Sequence, residues 1–420
     1  MTITLETLEP SVDEPVRHLV TVQRIVDVTP IEGYDRIDIA RVLGYECVVK
    51  RGDFKIGDLC VYHEVDSLVP TAGPKGLRCY EFLDAKAKDF PEEDVAVISV
   101  VSATGGTEDQ AMRAMGARRA RIKTIRLGGK YSQGLALPLG EVTMALCVDL
   151  LHASNMCKIA YEGMDVTAEL GVTKYDPSAS LGVPGARGAR GPGLRPWPAN
   201  APSKTDEANL QSWPGVLEEM RGVACYVTGK IDGSSMTAIR RHTGELVVCS
   251  RNFQVVPVEG EAPDMFTLAA AEFDLANRLP PGYAIQAELA GPGIQKNRAG
   301  YPAKRLCVFN VFRYVDDESP PEQLGFKKAT GFCADHGLQF VPVLWSGWVI
   351  SAHREPTEWI PNPQRHDLPF FIGQAEAQKY ANGNPCEGIV VRPMEPRESK
   401  TLRGRRLSFK VKSPSYEALG

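Results

Sequence analysis

TGKIDGSSMTAIR, residues 228–240, is the stretch on which the reading of this chain turns. A strand-like run ends near Thr228 and another begins near Ser235, so Lys230-Ile231-Asp232-Gly233 falls in a tight turn between them. Alone, Asp-Gly after a lysine is ordinary hairpin-turn chemistry. The segment gains weight from five others downstream: SRN at 250–252, AEL at 287–289, VFNVF at 308–312, CEGIVVRP at 386–393 and FKVK at 409–412. Each puts a charged or aromatic side chain on or beside a predicted strand.

Outward from this stretch, ACYVT, SMTAIRR, ELVVCS, YAIQAEL, RLCVFNVFRYV, EGIVVRP and LSFKVK read as strands, with a helical pattern at APDMFTLAAAEFDLANRL. These predict an α+β domain of mostly antiparallel sheets with flanking helices. In LSFKVK, period two sends Leu407, Phe409 and Val411 to the core and leaves Lys410 and Lys412 together on the other face. The same alternation predicts Cys307, Phe309, Val311 and Arg313 on one face of RLCVFNVFRYV. Thr205-Asp206-Glu207 reads as a helix start, with Thr205 or Asp206 as its cap.

The N-terminal third has a different texture. Between Leu19 and Pro70 short β-rich runs are separated by Gly52-Asp53 and Gly57-Asp58 turns, and RIKTIRLGGKYSQGLALPL, residues 121–139, adds two strands around Gly128-Gly129. A small β-barrel follows from that pattern. Residues 81–120 are left as an insertion, and the Gly/Pro/Ala/Arg-rich stretch between Gly171 and Ser203 reads as a linker or surface loop. The predicted organisation is a barrel over 15–145, a connecting segment over 146–202 and the α+β domain over 203–420.

Composition narrows the class. The chain has 420 residues, 43% hydrophobic and 24% charged, as expected for a soluble globular protein. No stretch approaches the ~18 apolar residues of a membrane span, and the N-terminus lacks a basic-plus-apolar leader, which predicts a cytoplasmic protein. Ten cysteines lie scattered without a Cys-x-x-Cys pair, so neither a zinc site nor a disulfide scaffold is expected. Net charge is only -4, but two local basic runs stand out: Arg113, Arg118, Arg119, Arg121, Lys123, Arg126 and Lys130, and Lys400, Arg403, Arg405, Arg406, Lys410 and Lys412. Runs of this kind suit a polyanion.

With these motifs in order, the chain resembles the ATP-dependent polynucleotide ligases, specifically the fifth RNA ligase family, in which an N-terminal OB domain precedes the covalent nucleotidyltransferase domain. VVKRGDFKIGDLCVYHEVDSLVP and RIKTIRLGGKYSQGLALPL are similar to that OB domain, and KTDE through FKVK is similar to the adenylation domain; residues 84–118 and 178–200 match neither. The resemblance implies sealing of 3'-OH/5'-phosphate ends, at nicks, through lysyl-AMP on Lys230, with ATP and magnesium (or manganese) as cofactors. It implies contacts to the adenylate from Lys230, Arg251, Glu288, Phe309, Lys410 and Lys412, with Asp232 and Glu387 meeting the metal through its water shell. It also implies a monomer whose nucleic-acid contacts come from Arg121, Lys123, Arg126 and Arg251. Arg392 stands where many ligases carry lysine, which changes a point charge into a planar fork.

The chemistry sets a requirement of its own. A lysine with a reference pKa of ~10.4 is only ~0.1% neutral near pH 7.5, worth roughly 4 kcal/mol of barrier to an amine nucleophile. Lys410 and Lys412, as neighbouring cations, are expected to lower it and to neutralise the α-phosphate. A DNA ligase or a capping-type nucleotidyltransferase shares this core, but both normally place an OB domain after the FKVK-like strand, and eight residues follow Lys412 here. A non-catalytic RNA-binding protein is the remaining alternative; the full set Lys230, Asp232, Glu288, Glu387, Lys410 and Lys412 speaks against it. Because the proposed ATP contacts all lie in the second half, a chain starting near Ser203 is expected still to form lysyl-AMP.

Overall fold

Period-two strands dominate both halves of the protein, as alternation in the sequence predicts, and among the described residues they assemble into two pairs of larger sheets and one two-stranded hairpin. The structure is a computed structural model and describes residues 18–71, 78–90, 117–143, 160–175, 193–204, 207–350 and 366–419. The first sheet of the N-terminal half runs, by position, Leu135–Pro138, Leu59–His63, Val20–Pro30, Ile37–Val42 and Tyr45–Lys50. Val20–Pro30 pairs with Leu59–His63 through its first half and with Ile37–Val42 through its second, and the register shifts between Ile25 and Asp27. That bulge lets one long strand serve two partners and curl the sheet. A second sheet runs Thr173–Lys174, Ser67–Pro70, Ala117–Arg121 and Lys88–Phe90. Val20, Val22, Val61 and Val69 fill one side of the interior, and Ile25, Val42, Cys47 and Tyr62 the other.

Two expectations are corrected here. The 81–120 stretch is not wholly an insertion: a 3-10 helix at Arg78–Lys86 buries Tyr80, whose hydroxyl meets His63 Nε2 at 2.7 Å inside the barrel. Residues 88–90 and 117–121 are paired strands, and 91–116 lie outside the described residues. The connecting segment 146–202 is also divided. Residues 160–175 belong to the barrel, where Val166, Leu170 and Val172 enter its core, while Trp197 and Ala201 pack on the catalytic half.

The first sheet of the catalytic half runs Leu194–Arg195, Gln254–Val255, Leu246–Cys249, Ser234–Arg240, Tyr283–Ala290, Arg305–Arg313 and Glu322–Gln323, with Gln339–Phe340 added parallel to Arg305–Arg313. The other runs Ala208–Asn209, Phe409–Lys412, Gly388–Pro393, Ala224–Lys230 and Val343–Val349. The helix Met265–Glu272 backs the first of these, capped by Asp264, and Leu368–Ala377 backs the second, capped by Asp367. Of the expected helix start at 205–207 only Glu207 is described, and it is not helical. Thr205 and Asp206 lie outside the described residues, and Glu207 leads into the strand Ala208–Asn209, which pairs parallel with Phe409–Lys412. Two arginines, Arg392 and Arg406, engage the Glu207 carboxylate and fix it there rather than at a helix cap.

The barrel and the catalytic half meet through polar contacts around residues 209–212. Tyr45 shares a hydrogen bond of 2.7 Å with Ser212 and accepts one of 3.0 Å from Asn209, while Gln211 donates to the Gly44 carbonyl at 3.0 Å. A Cβ on Gly44 would come within 2.8 Å of the Gln211 Cα, so the close approach depends on glycine. Among the described residues no helix is long and apolar enough to cross a membrane.

Candidate active site

Lys230 closes a strand of one catalytic sheet and Ser234 opens a strand of the other, so the Lys-Ile-Asp-Gly turn crosses between sheets instead of closing a hairpin. The crossing is tight. A Cβ on Gly233 would stand 2.3 Å from the Leu289 carbonyl oxygen, which only glycine avoids.

Register then fixes which side chains share the cleft. Cys225, Val227, Ile389, Val391, Phe409 and Val411 all enter one apolar cluster. Their alternates Thr228, Lys230, Val390, Lys410 and Lys412 therefore take the opposite face, with Lys230 beside Gly388 and Gly388 beside Lys412, and Val390 beside Lys410. The expected pairing of Lys410 with Lys412 on one face is what the strand provides. A Cβ on Gly388 would stand 2.0 Å from the Val411 carbonyl, so the pairing that aligns Glu387 with the FKVK strand also needs glycine.

Carboxylates surround the lysine. Its Nζ lies 2.6 Å from Glu387 Oε2. Burial alone would lower the Lys230 pKa, but Glu387, Glu288 and Asp232 together raise it above the ordinary value. This reverses the expectation that Lys410 and Lys412 lower it: the nearest charges are acids. Glu288, beside Ser235 in the neighbouring sheet, is pushed up to about 8, first by burial and then by Glu387 and Asp232, with Lys230 and Arg251 pulling the other way. Asp232 is raised as well, chiefly by burial, although the Tyr416 hydroxyl hydrogen-bonds it and Arg298, stacked 4.7 Å from the Tyr416 ring, favours its charge. Tyr416, Glu417 and Arg298 were not foreseen; the only sequence signal for the first two was Ser-Pro, a capped helix start, just past the FKVK strand.

Phe309 is half-buried beside Cys307, Ile231 and Val341. The expected face sharing of Cys307, Phe309, Val311 and Arg313 fails past Phe309. Gln286 pairs with Asn310 and Ala287 with Val308, which leaves Phe309 in a bulge and sends Val308 and Val311 together into the other cluster. Deeper in, Arg392 is 4% exposed, its guanidinium 5.6 Å from the Phe309 ring. It donates to Glu207 Oε1 through Nε at 3.1 Å and Nη2 at 2.8 Å; Arg406 lies 3.6 Å from the same oxygen, and Ser408 donates to Oε2. Burial would raise the Glu207 pKa, but the two arginines and Ser408 hold it down at about 2.

Of the basic run near the barrel, Arg113 lies outside the described residues and Arg119 is buried, donating to the Gly171 carbonyl. Arg121 pairs with Asp66 at 2.6 Å and lies 3.9 Å above the Tyr175 ring. Lys123, Arg126 and Lys130 are exposed, the last two on the hairpin of Ile125–Leu127 and Lys130–Ser132.

Comparison with known proteins agrees with this arrangement. An RNA ligase family model matches residues 224–412, and an OB-fold domain model matches residues 19–103. The chain is an RNA ligase. A Naegleria gruberi RNA ligase variant solved with ATP and Mn is 25% identical with TM-score 0.67, covering 96% of this chain and 99% of that one. A second variant of that ligase, with AMP and Mn, is 25% identical with TM-score 0.68 over 96% and 99% of the two chains. The same ligase with PPi is 26% identical with TM-score 0.66 over 96% and 98%. No curated protein matches this chain in sequence.

Proposed function

We propose that this ligase is ATP-dependent and seals 3'-OH/5'-phosphate ends at nicks in RNA-containing strands. The observation that carries the reading is the half-buried Lys230 ringed by Asp232, Glu288 and Glu387, on the same cleft face as Lys410 and Lys412. Lys230 attacks the α-phosphorus of ATP and releases pyrophosphate; AMP then passes to a strand's 5'-phosphate, and a 3'-hydroxyl displaces it. Glu288 takes the ribose hydroxyls, Phe309 stacks on adenine, and Arg251, near enough to Glu288 to bear on its charge, positions the nucleotide and the strand end. Lys410 and Lys412 neutralise the α-phosphate.

The Lys230 proton has to leave first, and Glu387 at 2.6 Å is its nearest acceptor. Asp232 and Glu387 are assigned to magnesium or manganese. The donor set fits: besides being raised chiefly by burial, Asp232 and Glu288 each feel Glu387 as a like charge beside Lys230, a repulsion that a cation would relieve. The Asp232 and Glu387 contacts are assigned through the cation's water shell, since magnesium dehydrates reluctantly. When bound, the cation would offset the carboxylates that hold the Lys230 proton and the charge that develops on phosphate.

Lys123, Arg126 and, after release from Asp66, Arg121 would grip the nucleic acid from the barrel. The domain division is proposed as barrel to about Lys174 and adenylation domain from Gly193. We place the ligase in the cytoplasm as a monomer; its buried thiols at Cys47, Cys60, Cys225, Cys249, Cys307 and Cys333 are free, as a reducing compartment would keep them. The test is sealing of matched nicked duplexes carrying RNA or DNA on either side of the break, with ATP and magnesium. A requirement for ribonucleotides at the 3'-OH side supports the reading; equal sealing of all-DNA nicks, or a preference for GTP, overturns it.

A further inference from the structure

Lys412 does not stand alone in the cleft. Its Nζ lies 3.3 Å from Glu417 Oε1, and the Glu417 side chain is only 10% exposed. The other oxygen, Oε2, accepts from Thr124 Oγ1 at 3.1 Å and from Gln133 Nε2 at 3.0 Å. Both donors belong to the barrel and both are buried. Gln133 continues the chain of contacts: its Oε1 accepts from Gln211 Nε2 at 3.0 Å, and Gln211 also holds the Gly44 carbonyl. A polar path therefore runs from the barrel through Glu417 to one of the two cleft lysines.

The short helix Pro414–Glu417 is fastened to the site at further points. Tyr416 hydrogen-bonds Asp232, and the Ser413 backbone N–H donates to the Glu387 carbonyl at 3.0 Å. Glu376 in turn accepts from Ser413 Oγ and from the Ser415 N–H, both at 2.7 Å. These contacts come from the catalytic half. The Oε2 contacts come from the barrel, so Glu417 is where the two meet.

We propose that Glu417 is a positioning residue for lysyl-AMP formation: gripped by Thr124 and Gln133, it aims the Lys412 ammonium at the α-phosphate, so that the barrel sets the competence of nucleotide transfer. The inference rests on the phosphate role assigned to Lys412. An ammonium on a flexible stem loses much rotamer freedom when it is held in one place, and a fixed carboxylate supplies that constraint in advance. It uses one N–H of Lys412 and leaves the others for phosphate oxygens. With Thr124 and Gln133 removed, Oε2 loses both barrel donors, the carboxylate is free to turn, and Lys412 loses its fixed direction. The second half would then hold every ATP contact and still be incomplete, contrary to the expectation that the barrel is separable from this step.

The experiment uses the full chain and measures single-turnover lysyl-AMP formation with α-labelled ATP and magnesium, across ATP concentrations, with thermal melting alongside. Glu417→Ala, and the pair Thr124→Ala with Gln133→Ala, are each expected to slow label transfer about tenfold or more, the scale of a lost charge-assisted hydrogen bond. Glu417→Gln keeps the side-chain volume and falls between, so a poorly folded alanine variant does not remove the test. In a Lys412→Ala background these changes should add nothing, because they act through that lysine. Slowing that multiplies with Lys412→Ala would show a merely structural role and overturn the proposal. Full-speed transfer by the Glu417 and barrel variants, with Lys412→Ala slow, would overturn the coupling alone. Full-speed transfer by Lys412→Ala would overturn the phosphate assignment together with it.

Discussion

Replacing Glu207 by glutamine removes the carboxylate that, among the described residues, pairs with both Arg392 and Arg406, while keeping its size. The magnitude can be worked in two ways. A pKa of about 2 against an ordinary 4.5 corresponds to roughly 3 kcal/mol of stability carried by the ionised carboxylate. Stripping one partner from a buried ion pair costs about 3–5 kcal/mol, because the remaining charge has nowhere to go; here the side chains of Glu207 and Arg392 are 11% and 5% exposed. Because the folded pKa lies below the unfolded one, this stability is fully present above about pH 4.5 and is lost as pH falls through about 2. Glu207→Gln should therefore unfold about 3 kcal/mol more easily than the parent in urea at pH 7, and the gap should narrow by roughly 2 kcal/mol at pH 3. It should also weaken ATP use through KM, since Arg392 lies behind Phe309. A loss under about 1 kcal/mol at pH 7, or a gap that does not change with pH, would refute the reasoning.

Lys230→Ala should abolish labelling by α-labelled ATP, and undiminished labelling would move the nucleophile elsewhere. Asp232→Ala and Glu387→Ala should lose sealing that excess manganese restores only in part; a Glu387→Ala enzyme sealing at the parent rate would make that residue structural. Gly388→Ala should stop lysyl-AMP formation by prising the FKVK strand away at Val411, visible as lost label in a protein that still melts cooperatively. His63, held at about 4 by burial, has a folded pKa below its unfolded value, so its contribution is present above about 6.5 and fades toward pH 4. Urea melts should show roughly 2 kcal/mol less stability at pH 5 than at pH 7, a window that His63→Gln flattens if this imidazole is the cause.

The features of the site legible in the sequence are those whose geometry is local. Lys230, Asp232 and Gly233 share one turn, Lys410 and Lys412 one strand face, and Glu387 the start of a strand, so spacing alone places them. Where a local rule was bent by a distant partner, it misled. Strict alternation put Val311 with Phe309, but the bulge opposite Gln286 and Ala287 is set by another strand and leaves no mark in VFNVF. The acidity around Lys230 escaped for a related reason: Glu288 and Glu387 are 58 and 157 positions away in numbering, and only the meeting of two sheets brings them together.

Arg392 shows how that distance dependence changes an interpretation. Read along the chain, arginine in place of lysine meant only a planar fork where a point charge is usual. In the structure the same side chain is buried and spends Nε and Nη2 on one oxygen of Glu207, 185 residues earlier. An ammonium has no planar fork with which to hold that oxygen from two nitrogens, and it carries a larger hydration cost into a buried position. The substitution is thus explained by its carboxylate partner, and Glu207, which the sequence assigned to a helix start, is the residue that makes an arginine the fitting cation behind Phe309.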